Sequence, residues 1–304
     1  MFDVLRKYNC KVIEPLHEGL SSDKKFYIET AEGQQLFLRV NDISEYERMK
    51  IIYELMEKAE LLDIPMTAPV EFGICEEGRG CFQLLTWCNG KSAEVVLPKL
   101  SKQKQYNLGV QSGEILSKIH SIPAPPNLCE WSGRYDRMMK SRLRRFTECN
   151  VIIKNSDEIF RYYEDNKHLL TNRPQCFHHG DYHNENLLVD NMEISVIDWQ
   201  LLDFENFADP WEEFNRINHT KLLPSFTSGQ INGYFQGKPP VEFWKLFALY
   251  VSIGALMLVS WAYFFQKDEL EYTVKNANDV LKWFDNMKKS IPTWYKEGHD
   301  IVNS

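Results

Sequence analysis

The sequence predicts an α+β chain of two lobes, a small sheet-rich one followed by a larger, mainly helical one. Three observations carry this expectation. Two β-rich runs, Lys24 to Thr30 and Gln34 to Val40, flank a hairpin signal at Ala31-Glu32-Gly33, and Ala68 to Ile74 and Cys81 to Trp87 add two more. After Asn89-Gly90 the period of the apolar residues changes to three and four. From Pro210 onward the chain is mostly helical in pattern and rich in Trp, Phe and Tyr. Strands gathered at one end and helices at the other give an α+β layout.

Taken in order, the first ninety residues read β, β, β, α, β, β. Their helix runs from Ser44, a candidate N-cap, to Leu62, and Glu76 to Gly80 is a turn. The expected lobe boundary near Asn89-Gly90 divides residues 1–88 from 89–304. Beyond it, Leu108 to Ser121 is an amphipathic helix, Pro123 to Pro126 a break, and Tyr135 to Cys149 a basic helix. The basic run Arg134 to Arg145 (Arg134, Arg137, Lys140, Arg142, Arg144 and Arg145) reads as a solvated helix face, with Met138, Met139, Leu143 and Phe146 turned inward. Gln175 to Asp198 reads as short strands and loops.

Composition bounds the function. A chain of 304 residues can bury a substantial core, and 43% apolar with 26% charged residues is ordinary for a soluble globular protein. A net charge of -8 argues against a nucleic-acid partner and suits a cationic or neutral ligand. Seven cysteines without a CxxC pair argue against a disulfide framework or zinc site. Together with a start that has no apolar h-region, they lead to the expectation of a cytoplasmic protein. The nineteen residues from Phe247 to Phe265 carry no formal charge, which raises a membrane span. Ser252, Gly254 and Ser260 dilute that run and no basic cluster flanks it, so a helix buried on all sides is the simpler reading.

The chemistry concentrates in Cys176-Phe-His-His-Gly-Asp-Tyr-His-Asn-Glu-Asn-Leu-Leu-Val189 and Ile194-Ser-Val-Ile-Asp-Trp199. Two apolar strand pieces, Leu187 to Val189 and Ile194 to Ile197, flank a turn at Asp190 to Glu193. A hairpin there brings Asp181, Asn186 and Asp198 together. Phosphoryl transfer to an alcohol needs a carboxylate to receive the hydroxyl proton, and hard oxygen ligands for the Mg²⁺ that bridges the phosphates. Asp181 suits the first task; Asn186, five residues on, and Asp198, after the second strand, suit the second. Asp and Asn also cap turns, so it is the combination rather than any fragment that carries the reading.

These residues resemble the aminoglycoside phosphotransferase family, within the wider group that includes choline kinases and shares the protein-kinase fold. The family pattern is present as His179-Gly180-Asp181-Tyr182-His183-Asn184-Glu185-Asn186 and Ile197-Asp198-Trp199, with Asp209-Pro210 following. The resemblance implies a bilobal kinase-like fold and a transfer of phosphate from ATP or GTP, with Mg²⁺, to a hydroxyl of a small molecule, an aminoglycoside first. Choline, ethanolamine or a sugar are alternative acceptors, and a non-catalytic nucleotide-binding protein on the same scaffold is the rival from another class. For His179 and His183 a structural role, holding the loop by hydrogen bonds, is preferred to base catalysis.

The resemblance also sets expectations for the nucleotide. Glu18 to Lys24 occupies the place of the phosphate-covering loop, with one glycine and with Ser21 and Ser22 as candidate contacts. The position of the phosphate-binding lysine is filled by Arg39. The matching helix position falls near Ile52, which cannot pair with it, so Glu54 is expected to, with Glu47 as the alternative. Leu84 to Gly90 is the expected hinge, where Thr86 and Cys88 would meet adenine through their backbone. At the acceptor end, Asp203, Glu205, Glu212 and Glu213 lie in a stretch without Lys or Arg between Arg173 and Arg216, and are expected to form an acidic wall attracting an amine-bearing substrate. Helix-start carboxylates, as at Asp209-Pro210, are the plainer reading of the same residues.

Overall fold

Alternation along one strand sets up the first lobe. In a computed structural model, which describes residues 2–17, 23–199 and 206–297, Leu36, Leu38 and Val40 of one strand are buried while Phe37, Arg39 and Asn41 take the other face. That strand is β3 (Gln35–Asp42), preceded by α1 (Phe2–Lys7), β1 (Cys10–Leu16) and β2 (Lys24–Thr30), and followed by α2 (Tyr46–Glu60), β4 (Pro69–Cys75) and β5 (Gly80–Thr86). The sheet is antiparallel in the order β1-β2-β3-β5-β4, so β3 and β5 lie at its centre. Leu36, Leu38 and Val40 meet Ile28, Phe82, Leu84 and, from α1, Val4 and Leu5 in a small core. The opposite face receives α2, whose Ile52, Tyr53, Leu55, Met56 and Ala59 join the main core. The short α1 is not foreseen in the sequence. The expected cap at Ser44 is corrected: Asp42 accepts the Ser44 N–H at 2.9 Å and starts a 3-10 turn that leads into α2.

The second lobe begins with β6 (Lys91–Ser92) and α3 (Ala93–Val96), then α4 (Lys102–Ile119), α5 (Trp131–Glu148) and α6 (Ser156–Asn166). Short strands follow, β7 (Cys176–Phe177), β8 (Leu187–Asp190), β9 (Glu193–Val196) and β10 (Phe207–Ala208), and then α7 (Pro224–Phe235), α8 (Val241–Phe265) and α9 (Leu270–Trp283). Helices α4 and α7 approach through glycine. A Cβ on Gly109 would sit 2.1 Å from Phe226 O, one on Gly113 2.0 Å from Gln230 O, and ones on Gly229 and Gly233 2.2 Å from Tyr106 O and Val110 O. Each helix thus offers its backbone to the other at positions four residues apart, one above the next on a single face.

Helix α8 is long and apolar enough to cross a membrane by length and composition. Here most of it is enclosed by protein: Phe243, Phe247, Leu249, Val251 and Ile253 are fully buried among α5, α6, α9 and the 3-10 segment Glu212–Asn218, whereas Phe264 and Phe265 at its end are exposed. Helix α5 buries Trp131, Tyr135, Met138, Met139 and Phe146 and turns Arg137, Lys140, Arg144 and Arg145 outward. Leu143, expected to face inward, lies on the exposed side next to those arginines. Arg134 is drawn in, donating to Phe207 O at 2.6 Å.

Candidate active site

The loop between β7 and β8 is held from three directions. The β8–β9 hairpin closes through Asn191 and Met192, both at positive φ (47° and 68°), the geometry of a tight two-residue hairpin turn. Its return brings Ile197 N–H to Asn186 O at 3.0 Å, so Asp198 leaves the hairpin beside Asn186. His179, fully buried, accepts the Asp181 N–H on Nδ1 at 3.2 Å and donates from Nε2 to Ile197 O at 3.0 Å. It therefore ties both ends of the segment together. Burial lowers its pKa and keeps one ring nitrogen bare, as this double role needs.

Asn186 Nδ2 donates to Asp181 O at 2.9 Å and to Asp181 Oδ2 at 3.1 Å. His183 Nε2 lies 3.2 Å from the same carboxylate oxygen, while its Nδ1 accepts the Glu185 N–H. Arg216 Nη1 stands 3.7 Å from Asp181 Oδ1 and donates to His219 Nε2 at 3.1 Å. Burial works to raise the Asp181 pKa, but the His183 hydrogen bond and the charges of His183, Arg216 and His219 prevail and hold the carboxyl well below the usual carboxylate range. Asp198 follows with φ of 58°, a left-handed conformation uncommon outside glycine, and its carboxylate is about a third exposed. Trp199 anchors the turn, stacked on Phe177 with centroids 5.8 Å apart.

In the first lobe the Arg39 guanidinium binds Asp23 through Nε and lies 3.4 Å from Asp198 Oδ1 through Nη1. Glu54 is corrected as its partner: it is 55% exposed and faces Lys50 at 3.8 Å. Two residues along a helix turn the side chain by roughly 200°, so once Ile52 faces the sheet, Glu54 must face solvent. Glu47 is exposed as well. Ile52 and Met49 line the same cavity as Arg39, about 650 Å³ in volume. Asp23 was missed, although strand register could have found it. Lys25 pairs with Arg39 and Lys24 with Val40, which puts Asp23 diagonally across from Arg39 on the same face. Ser21 and Ser22 lie outside the described residues.

At the hinge, Thr86 is fixed to Ala68 by its N–H and its Oγ1, both at 2.8 Å. Cys88 is half-buried beside Ser195, and burial pushes its thiol up to about 11, an unreactive state. Gly90 has φ of 126°, and a Cβ there would sit 2.9 Å from Val189 O. Next to it, β6 pairs with β8, Lys91 opposite Val189 and Ser92 opposite Leu188. The hinge thus rests directly on the hairpin that positions Asn186 and Asp198.

A model of the phosphotransferase enzyme family (APH) matches residues 12–244, well over half of the chain. The chain belongs to this family. Solved structures agree at the level of fold. The streptomycin–ATP–APH(2'')-IIa ternary complex aligns with a TM-score of 0.62 at 17% identity, over 95% of this chain and 96% of that one. A choline/ethanolamine kinase family protein from Mesorhizobium loti aligns at 0.63 and 14% identity, over 93% and 92%. Spectinomycin phosphotransferase APH(9)-Ia aligns at 0.60 and 15%, over 91% and 92%. No curated protein matches the sequence significantly.

The expected acidic wall of this phosphotransferase is redistributed. Glu213 is interior: it accepts the backbone N–H of Gly180 at 2.7 Å and of His179 at 3.2 Å, and contacts His120 Nε2 at 2.9 Å. Burial opposes its charge, yet the electrostatic pull of His178, followed by the hydrogen bond from His120, holds its pKa at about 2. It supports the loop from beneath rather than facing a substrate, and a buried carboxylate is kept where several N–H groups converge on it. Asp209 is likewise internal, bidentate to Arg173 at 2.6 and 3.1 Å and accepting the Tyr250 hydroxyl at 2.8 Å. Glu212 is half-buried, and burial pushes its pKa up against the influence of Arg142 and Arg216. Asp203 and Glu205 lie outside the described residues. Carboxylates not foreseen stand near the loop instead: Glu94 of α3 hydrogen-bonds Glu185, whose Oε2 is 3.9 Å from His183 Nδ1, and burial and then Glu185 push the Glu94 carboxyl up.

Proposed function

We propose that this phosphotransferase moves the γ-phosphate of ATP or GTP to a hydroxyl of a small molecule, with Mg²⁺ on the nucleotide. The observation that carries the reading is the Asp181–Asn186–Asp198 constellation, closed by the Asn186–Asp181 hydrogen bonds and the Ile197–Asn186 backbone bond. Asp181 is the acceptor-side carboxylate. Held ionised, it orients the substrate hydroxyl and receives its proton as the oxygen bonds to the γ-phosphorus and the bond to the departing nucleoside diphosphate breaks.

The donor set fits Mg²⁺. Both Asn186 bonds to Asp181 use its amide nitrogen, which reserves the amide oxygen for a cation, and Asp198 adds a carboxylate, so both ligands are hard oxygens. When bound, such an ion neutralises charge on the phosphate oxygens. Arg39 is the phosphate-side cation, with Ser21 and Ser22 in the covering loop and the Thr86 and Cys88 backbone at the base. The acceptor is of the amine-bearing, aminoglycoside type; support comes from Glu94 and Glu185 beside the loop and from the net charge of -8. The reaction belongs to the cytoplasm and involves neither membrane nor nucleic acid.

A coupled assay of nucleoside-diphosphate release tests this, with ATP or GTP against aminoglycosides, other antibiotics, amino alcohols and sugars. Acceptor-dependent turnover that disappears in Asp198→Ala is the expected result. Undiminished turnover in that variant would remove the central claim. Nucleotide binding without turnover on any acceptor would favour the non-catalytic reading.

A further inference from the structure

We propose that Asp23, just before strand β2, is the positioning residue for the Arg39 guanidinium, doing what a carboxylate on α2 was expected to do. The inference rests on the nucleotide-cleft reading and goes beyond it by naming how the cleft's cation is held.

Two facts lead there. First, among the described residues no α2 carboxylate bonds Arg39. The helix turns Ile52 and Met49 toward it, Glu54 pairs with Lys50 in solvent, and Glu45, which lines the same cavity, pairs with Arg48 at 3.2 Å. Second, the Arg39 and Asp23 side chains are only 13% and 12% exposed and bonded to each other. An ion pair this sheltered loses little to screening, and a long side chain tied at its Nε keeps a fixed direction. The remaining arm of the fork is then aimed across the lobes at Asp198 Oδ1, 3.4 Å away.

Asp23 and Asp198 therefore share one guanidinium. With Asp23 in place, Arg39 is anchored to the sheet and available to phosphate. Without it, the uncompensated guanidinium turns to Asp198, the carboxylate assigned to the metal, and opposes the cation there. A lysine would have to bring one ammonium between the two carboxylates, whereas the guanidinium meets them with separate nitrogens, Nε and Nη1. The geometry thus accounts for Arg39 and Asp23 as a matched pair.

The test is calorimetric titration of the full-length protein with Mg·ADP, at low and high magnesium, which needs no knowledge of the acceptor. Asp23→Asn should weaken binding about tenfold, and more at low magnesium than at high. Ile52→Glu placed in an Asp23→Ala background should recover most of the loss, because it supplies the carboxylate from the helix. Thermal melting of each variant separates this from unfolding. In an Arg39→Lys background the effect of Asp23→Asn should shrink to within about twofold. Wild-type affinity in Asp23→Asn, or the same loss with lysine at position 39, would overturn the inference while leaving the phosphotransferase reading intact. Failure of the wild-type protein to bind Mg·ADP would overturn the reading beneath it, and the inference with it.

Discussion

The carboxylate of Glu213 accepts the backbone N–H of Gly180 at 2.7 Å. Gly180 has φ of 92°, and the N–H groups that such a turn directs inward need an acceptor in the interior. Glu213 supplies it from the segment after β10. The loop that carries Asp181 therefore depends for its shape on a buried charge.

Replacing this group gives the first prediction. Glu213→Gln keeps the volume but presents an amide N–H₂ to backbone donors, leaving one buried donor unpaired. The cost should be about 3 kcal/mol, read as a lower denaturation midpoint, with a lower kcat as the loop loosens. The contribution of Glu213 is complete above its ordinary pKa and lost as pH falls through about 2, so this difference should persist across neutral pH.

Asp181→Asn separates chemistry from folding. The amide keeps the shape but cannot take a proton, and kcat should fall by roughly 10²–10⁴ while the nucleotide KM stays near wild type. Because the Asp181 pKa is depressed, the wild-type rate should show no acid limb from this group above the ordinary aspartate value of about 3.9. A limb near neutrality that vanished in Asp181→Asn would contradict the assignment.

Stability should begin to decline on the acid side already above the ordinary carboxylate range, through two buried histidines. Burial lowers the His178 pKa to about 4 and the His219 pKa to about 3. Below pH of about 6.5 the unfolded chain takes up these protons while the native state does not, so folding weakens from there down to about pH 4 and levels off near 3. The loss should be on the order of several kcal/mol in total. Urea midpoints measured against pH check it, and a flat profile between neutrality and pH of about 5 would refute it.

Two glycines in helices should respond with opposite signs. Gly113→Ala drives a methyl to within 2.0 Å of Gln230 O, and the α4–α7 seam must open at a cost of about 3 kcal/mol or more. A Cβ at Gly133, exposed on α5, meets only the end of Arg137 at 3.8 Å, so Gly133→Ala should stabilise by roughly 0.5–1 kcal/mol. Thermal melts of the two variants decide the matter.

Much of the site was legible because its chemistry is contiguous. Asp181, Asn186 and Asp198 lie on one loop and one hairpin, and local turn chemistry alone brings them to one end. The apolar run to Phe265 was readable as a core helix over most of its length, since a buried helix needs no polar face, although Phe264 and Phe265 at its end are exposed. What stayed hidden depends on which side of an element faces which neighbour. Glu54 and Ile52 differ only in helix register, and the sheet, not the helix, decides which turns inward. Glu213 is indistinguishable in sequence from a substrate-binding acid until its burial is known. Asp23 becomes visible only once the register of β2 on β3 is fixed, which sets it on the Arg39 face.

Strand β6, immediately after Gly90, forms an edge of the three-stranded sheet that β8 and β9 complete. The connection between the lobes is therefore built into the second lobe rather than strung between the two. A two-fragment complementation reporter cut just after Ser92 would leave an edge strand on the wrong piece and strip the hairpin of its neighbour. One cut just before Gly90 would keep that sheet whole, so of two adjacent break points only the earlier should yield halves that reassemble into a working enzyme.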